Sequence, residues 1–257
     1  MNDLQEVLLE MYVDIKELCN KNNIQLFLVC GNAIGAMRHK GFIPWDDDLD
    51  VAIFKDDLNT LKAAAMNDKE FARKYFYQDY KTESEYNIPF AKIRKYNTLL
   101  IEKGAENPKI NQGIFIDIFT IDNISRKRVI QKIQFYSCQL YECLIRGNRP
   151  NNVLKRCIIN TIKLIGLKNQ FLEFFDLISN HLNISTGLYY SYYSSVENLL
   201  TKDCILPERI VPFENIEAVV FNNVEQYLTD YYGDYNIIPS IEEQEAAKHA
   251  SYYEIKC

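Results

Sequence analysis

The chain has 257 residues, of which 47% are hydrophobic and 25% are charged, and its formal net charge is −6. With only 9 glycines and 7 prolines, it is excluded from the collagen-like, low-complexity and disordered classes. The acidic total also argues against a nucleic-acid-binding protein. The charge is unevenly distributed, however. The segment from Arg126 to Lys168 has ten basic residues and one acid, so it carries +9 and the rest of the chain carries −15.

Cysteine and histidine usage indicates the compartment. The seven cysteines are scattered without a CxxC pair, and His39, His181 and His249 lie far apart in sequence. This pattern argues against a zinc site and is typical of reduced thiols in the cytoplasm. Residues 1–19 are acidic and amphipathic, unlike a signal peptide, and no apolar run reaches about 18 residues. We therefore expect a cytoplasmic protein.

Hydrophobic spacing predicts the first elements. Apolar residues from Leu4 to Leu18 recur at i, i+3, i+4 and i+7, which predicts an amphipathic helix with Asn2 or Asp3 as its N-cap. The elements predicted next, in chain order, are a strand at 25–30, a short helix at 33–38, a strand at 48–54, a helix at 57–66, and strands at 74–80, 90–94, 98–102 and 113–119.

After Ser125 the pattern becomes mainly helical. Helices are predicted at 125–146, 152–182, 225–232 and 241–253, with short extended pieces within 199–220. The fold class is therefore predicted as α+β, with a mixed sheet flanked by helices and a mostly helical C-terminal half.

Four aspartates, Asp46, Asp47, Asp48 and Asp50, lie within five positions. On a strand, Asp48 and Asp50 would project from one face, where the two carboxylates repel each other unless a cation lies between them. Asp117, the one acid of an apolar strand, would complete a three-carboxylate site for Mg²⁺ or Mn²⁺ and in-line displacement at phosphorus. Three alternatives remain open: a solvated loop, a strand-end cap at Asp117, and a sugar-transferase Asp-x-Asp site.

Residues upstream of the aspartates favour a phosphate ligand. Gly31 follows a predicted strand, Gly35 lies near a helix start, and Arg38 and Lys40 supply positive charge. This order is typical of a nucleotidyltransferase site. Core packing is the favoured role of Trp45 over ligand stacking. For Asp46 and Asp47, capping of the loop and orientation of Arg38 are equally favoured.

These residues carry a family resemblance. The segment GNAIGAMRHKGFIPWDDDLDVAI (31–53) resembles the signature of the LicD family of bacterial phosphocholine transferases, which is related to the fukutin-type sugar-phosphate transferases. AKIRKYNTLLIE (91–102) and GIFIDIFTID (113–122) resemble its second and third blocks. Residues 212–240, with Tyr232, Gly233 and Asp234, resemble its closing block.

The resemblance implies a nucleotidyltransferase fold and transfer of phosphocholine from CDP-choline to a hydroxyl of a surface glycan or its lipid-linked precursor, with release of CMP. It implies that Asp48, Asp50 and Asp117 are catalytic and hold Mg²⁺ or Mn²⁺. Asn32 stands where the family usually has Ser or Thr, and its amide can still donate to a phosphate. The residues expected to bind the donor phosphates are Gly31, Asn32, Gly35, Arg38, Lys40, Lys92 and Arg94, and those expected to line the substrate are Trp45, Asp46, Asp47, Tyr232 and Asp234.

Three other functions remain open: transfer of another CDP-linked group (phosphoethanolamine, 2-aminoethylphosphonate or a polyol phosphate), a metal-dependent glycosyltransferase, and a non-enzymatic scaffold. We expect a catalytic core at 1–124, a basic helical insertion at 125–198 and a block at 199–257 that packs back on the core. In the insertion, Ile158, Ile159, Ile162 and Leu164 alternate with basic residues. This pattern is typical of either a solvated helix or a peripheral helix that meets anionic lipid at the inner membrane face.

Overall fold

A computed structural model describes residues 1–104, 107, 109–146, 153–164, 186–191 and 199–255. The helices are α1 (Asp3–Lys21), α2 (Cys30–Arg38), α3 (Leu58–Asn67), α4 (Phe71–Lys74), α5 (Arg128–Arg146), α6 (Val153–Leu164), α7 (Lys202–Ile205), α8 (Val224–Tyr232) and α9 (Ile241–Ala247). The strands are β1 (Phe27–Leu28), β2 (Asp50–Phe54), β3 (Tyr75–Gln78), β4 (Ala91–Lys95), β5 (Thr98–Glu102), β6 (Phe115–Asn123), β7 (Leu188–Ser191), β8 (Leu200–Thr201), β9 (Arg209–Phe213), β10 (Ile216–Val220) and β11 (Ala250–Ile255).

The central sheet has the order β1-β2-β6-β4-β3. In addition, β7 pairs with the last three residues of β6, and β8 pairs with β7. β2 runs parallel to β6, and the other neighbouring strands pair antiparallel. The α+β class and the mixed sheet predicted from the sequence are therefore confirmed. The core strands are apolar because helices cover the sheet, and Val51, Ile53, Ile116 and Ile118 are fully buried.

Helix α1 begins with a capping box. The Asn2 side chain accepts a hydrogen bond from the Gln5 backbone N–H at 2.9 Å, and the Gln5 side chain accepts one from the Asn2 N–H at 3.1 Å. Two of the four N–H groups that a helix start leaves unpaired are thus satisfied. The apolar side of α1 packs on β6 and α3, and Leu8, Met11 and Ile15 are fully buried.

The prediction of a mostly helical C-terminal half is not confirmed, because strands lie among its helices. Five strands, β7 to β11, lie after residue 187. The helix predicted at 241–253 ends at Ala247, and Ala250–Ile255 instead form β11, which pairs antiparallel with β5. The tyrosine-rich end of this segment favours a strand once β5 offers an edge for pairing. Of the helix predicted at 152–182, α6 covers Val153–Leu164, and residues 165–182 lie outside the described residues.

None of the described helices is both long enough and apolar enough to span a membrane.

The second half of the chain packs against the first half at two places. Helix α2 packs against β9 and α8, and β11 lies beside β5. The residues of the predicted closing block are thereby brought next to α2 and the aspartate-rich segment that follows it.

Candidate active site

Strand register brings two of the predicted acids together. Asp50 begins β2, Asp117 lies in β6, and the two are register partners in the parallel pair. Register partners project from the same face of a sheet, so both carboxylates lie on one side. β2 begins two residues later than predicted, so Asp48 lies in the segment that leads into the strand and not on the strand.

Burial and mutual repulsion raise the pKa values of these acids. Burial, followed by the neighbouring carboxylates of Asp48 and Asp117, raises the pKa of Asp50 well above its usual range. Burial raises the pKa of Asp117 to about 6, although Lys92 acts in the opposite direction. The pKa of Asp46 is raised to about 8 by burial and by Asp48. Crowded oxygen ligands that resist ionisation fit a hard divalent cation, whose charge would relieve the repulsion.

Lys92, which was predicted to bind a donor phosphate, is buried inside the protein beside two acids. Its side chain is only 1% exposed, and its Nζ lies 2.9 Å from Asp117 Oδ1 and 3.3 Å from Glu102 Oε2. Nζ also lies 3.3 Å from the centre of the Phe115 ring. Lys92 is the register partner of Asp117, so the antiparallel pairing of β4 with β6 directs the cation at that acid. Its charge offsets Asp117 and Glu102.

Arg94, also predicted to bind a donor phosphate, is likewise buried and hydrogen-bonded within the protein. Its Nε donates to Gln78 Oε1 at 2.5 Å, and its Nη1 donates to the Gly113 carbonyl oxygen at 2.8 Å. The guanidinium also lies over the Phe115 ring, 4.7 Å from its centre. Arg94 therefore links β3 to the residues that precede β6 and supports the sheet.

The Asn32 amide binds protein backbone where a phosphate contact was predicted. Its Oδ1 accepts a hydrogen bond from the Asp50 N–H at 2.6 Å, and its Nδ2 donates to the Asp48 carbonyl oxygen at 3.2 Å. The residue is fully buried. One side chain thus fixes the backbone on both sides of Leu49 and holds the acidic segment against α2.

Two glycines bring α2 close to the acidic segment. A Cβ atom at Gly35 would collide with the Gly41 carbonyl oxygen, and one at Gly31 would lie 2.9 Å from Asp46 Oδ2. The absence of a side chain at both positions is therefore explained by packing within the protein. Gln5 of α1 also binds the acidic segment, because its Nε2 donates to the carbonyl oxygens of Ile43 and Asp46.

Arg38 and Lys40 follow at the end of α2. Arg38 Nη1 donates to the Tyr235 carbonyl oxygen at 2.7 Å and to that of Ile237 at 3.3 Å. Arg38 thus binds the loop after α8. Lys40 is exposed, with a positive φ of 57°, and its carbonyl oxygen accepts the Glu214 N–H at 2.7 Å.

His249 is a site residue that sequence reasoning did not select. Its Nδ1 lies 2.8 Å from Asp48 Oδ2. Hydrogen bonds with the carboxylates of Asp47 and Asp48 raise the pKa of His249 to about 11. Asp47 also accepts the backbone N–H groups of His249 and Ala250, at 3.0 and 2.8 Å. The start of β11 is thereby bound to the acidic segment. About 200 residues separate the partners, so no local pattern could have indicated the contact.

Among the described residues, one set of three potential metal ligands has all its ligand atoms within 4.8 Å of one another: Asp47, Asp48 and His249. Asp50 and Asp117 do not join a set of three at that spacing in this part of the chain. Asp48 is the member common to the predicted trio and the observed set.

The predicted substrate-lining residues occupy different environments. Trp45 is half-buried against the main core, with the Arg38 guanidinium 5.9 Å from its ring centre. Tyr232 is 45% exposed at the end of α8, and its hydroxyl forms a hydrogen bond with the Cys30 side chain. Asp234 is exposed and accepts the Asn236 N–H at 3.1 Å, which closes the turn after α8.

Tyr227, which the sequence did not single out, also reaches this region. Its hydroxyl accepts the Cys30 N–H at 3.1 Å. Cys30 has a positive φ of 52° at the first position of α2, a conformation that is unfavourable for a non-glycine residue. The contacts of α8 therefore support a strained backbone where α2 begins beside the acids.

Residues 23–137 match the family model described as LicD/FKTN/FKRP, nucleotidyltransferase domain. The chain is 27% identical to the lipopolysaccharide cholinephosphotransferase LicD of Haemophilus influenzae, over 95% of this chain and 94% of that protein. It is also 46% identical to an uncharacterized protein of Rickettsia prowazekii over 50 residues, which are 20% of this chain and 19% of that one. The resemblance found in the sequence is thereby confirmed: residues 23–137 are similar to the LicD family, and nearly the whole chain is similar to one named cholinephosphotransferase.

Proposed function

We propose that the protein is a transferase that moves phosphocholine from CDP-choline to a hydroxyl of a cell-surface glycan or its lipid-linked precursor and releases CMP. The observation that carries the proposal is the pairing of Asp50 with Asp117 on adjacent parallel strands, directly after the Asp48 segment. A relative that aligns over nearly the whole chain is named a lipopolysaccharide cholinephosphotransferase. That name supports phosphocholine as the transferred group and a glycan as the acceptor.

The acids fit a divalent cation, Mg²⁺ or Mn²⁺, with Asp48, Asp50 and Asp117 as its proposed ligands. The buried carboxylates with raised pKa values are the observation that supports this fit. When bound, such an ion neutralises the diphosphate of the donor and the charge that develops on the departing CMP. His249 and Asp47 border the same site through Asp48.

Asp117 is the proposed proton acceptor. One of its oxygens, Oδ1, is held by Lys92 at 2.9 Å, which leaves Oδ2 to take the proton of the acceptor hydroxyl. The pKa of Asp117, raised to about 6 by burial, leaves the carboxylate mostly ionised at neutral pH and basic enough for this role. The acceptor oxygen then bonds to the phosphorus of phosphocholine, and the bond from that phosphorus to the CMP oxygen breaks.

Donor binding is proposed for the start of α2. The backbone N–H groups of Gly31 and Asn32 lie in its first turn, where the helix dipole favours a phosphate. Arg38 and Lys40 supply positive charge at the other end of the helix. Lys92 and Arg94 act through the protein, since both are buried and bonded internally. The proposed working place is the inner face of the membrane, where lipid-linked precursors are within reach.

A donor panel tests the proposal. The purified protein would be incubated with Mg²⁺, a lipopolysaccharide acceptor and, in turn, CDP-choline, CDP-ethanolamine, a CDP-polyol and a UDP-sugar. We expect CMP and choline-labelled acceptor from CDP-choline. If only another CDP-linked donor is turned over, the transferred group is the one carried by that donor and not phosphocholine. Transfer from the UDP-sugar without CMP formation would make the protein a glycosyltransferase. Turnover of none, with no Mg²⁺-dependent donor binding by calorimetry, would favour a scaffold.

A further inference from the structure

The outward side of α5 carries large apolar residues. Val129, Ile133 and Tyr136 are 72%, 54% and 59% exposed. They recur at i, i+4 and i+7, so they lie along one side of the helix. The solvent-facing side of a helix in a globular protein is ordinarily polar. An apolar row at this place therefore indicates a surface that meets something other than water.

The opposite side of α5 already accounts for the attachment of the helix. Phe135 is buried against Ile124 and Tyr190. Further along, Tyr141 and Leu144 form a second buried cluster with Ile159 of α6. The exposed row is thus additional to the apolar residues by which α5 packs on the rest of the protein.

Basic residues surround the exposed row. Arg126, Lys127, Arg128 and Lys132 are all exposed, and the sequence contains no Asp or Glu from residue 123 to residue 141. Arg128 and Lys132 lie on α5, and Arg126 and Lys127 lie just before its first residue. An apolar row with cations beside it matches the interface of an anionic lipid bilayer, where the apolar side chains enter the headgroup region and the cations meet phosphate. An acidic surface of a partner protein would match the cations but not the protruding apolar row.

We propose that this surface, formed by Arg128, Val129, Lys132, Ile133 and Tyr136 of α5 together with Arg126 and Lys127 just before the helix, docks on the surface of an anionic lipid bilayer. The proposal moves the lipid contact away from α6, where the sequence pattern had suggested it. Ile159 is only 2% exposed and Ile162 packs against the same cluster, so these two residues of α6 serve its contact with α5. The side chain of Ile158 lies outside the described residues, and Leu164 is 87% exposed.

Vesicle co-sedimentation of the full chain tests this face without donor or acceptor, so its result is independent of the proposed transfer reaction. The probes are vesicles of phosphatidylcholine alone and of phosphatidylcholine mixed with phosphatidylglycerol. We expect binding to the mixed vesicles that weakens with added salt. Lys127→Gln/Lys132→Gln should weaken it roughly 25-fold, at about fivefold for each cation. Val129→Ser/Ile133→Ser should weaken it at least about tenfold.

Matched controls use exposed residues elsewhere. Ile210→Ser, at a β9 position that is 62% exposed, and Lys69→Gln, on the loop before α4, should leave vesicle binding unchanged. Circular dichroism of each variant checks that the fold is retained. Equal binding to both vesicle types, or equal loss in controls and α5 variants, would overturn the proposal. A dimer that only the α5 variants dissociate, without vesicle binding, would assign the face to contact between copies of the chain.

Discussion

Replacing Lys92 by methionine should destabilise the protein severely. The side chain is only 1% exposed, and its Nζ contacts Asp117 at 2.9 Å and Glu102 at 3.3 Å. Methionine keeps an unbranched stem of similar volume, so the packing loss is small, under about 1.5 kcal/mol. The charge is what disappears, and two carboxylates then lack their buried cation.

The expected cost is about 3–5 kcal/mol, the usual range when one partner of a buried ion pair is removed. Its pH dependence follows from Asp117. Burial raises the folded-state pKa of Asp117 to about 6 against an ordinary 3.8, and Lys92 acts to lower it, so Lys92→Met raises it further. A raised pKa contributes stability that is complete below the unfolded-state value and is lost as the pH rises through the folded-state value. The variant should therefore be weakest relative to wild type at neutral pH.

Urea unfolding at neutral pH and at about pH 4.5, without divalent ions, measures this difference. Lys95→Met is the matched control on the same strand, because Lys95 pairs at 2.9 Å with Glu10, which is 54% exposed. Such an exposed pair is worth at most about 1 kcal/mol. If Lys92→Met costs no more than Lys95→Met, or costs the same at both pH values, Lys92 does not balance the charge of Asp117.

Three further predictions concern α2 and the segment that joins it to β2. Gly35→Ala should lower the free energy of unfolding by roughly 1–3 kcal/mol, because the new Cβ meets the Gly41 carbonyl oxygen; an increase in the thermal midpoint would contradict the contact. Asn32→Ala should lose about 1–3 kcal/mol of stability, because the Asp50 N–H loses its acceptor; unchanged stability with a raised KM for the donor would instead assign Asn32 to phosphate binding. The pKa of Asp46, raised to about 8 by burial and by a neighbouring carboxylate, favours the neutral acid, so its contribution is lost as pH rises through that value. Asp46→Asn should therefore gain thermal stability relative to wild type as the pH rises from about 4 to about 8, whereas parallel pH profiles would refute this protonation.

Local pattern was enough to predict much of the fold. The α1 helix with its Asn2 cap follows from apolar spacing and one side-chain acceptor, and β5 has the predicted bounds of 98–102. Both signals come from residues close together in sequence, where periodicity and capping act directly. The strand status of 250–255 was missed because it depends on a partner about 150 residues away.

The same distinction applies to the site. The acids were selected from sequence because carboxylates in or beside apolar strands are costly without a cation. The orientation of Lys92 could not be predicted from sequence, because only the register of β4 against β6 directs its side chain to Asp117. Likewise, the type of residue at position 32 is compatible with phosphate binding, and tertiary structure decides that its amide binds the backbone of Asp48 and Asp50 instead.

The central claim is that the paired acids on β2 and β6 drive CMP release from CDP-choline. The most direct measurement is the initial rate of CMP formation with a lipopolysaccharide acceptor and Mg²⁺ for wild type, Asp117→Asn and the exposed-acid control Asp203→Asn. We expect Asp203→Asn to match wild type and Asp117→Asn to fall roughly 10³-fold or more, a barrier increase of about 4 kcal/mol. Chelation of the metal should abolish the wild-type rate. Near wild-type turnover by a correctly folded Asp117→Asn would contradict the claim.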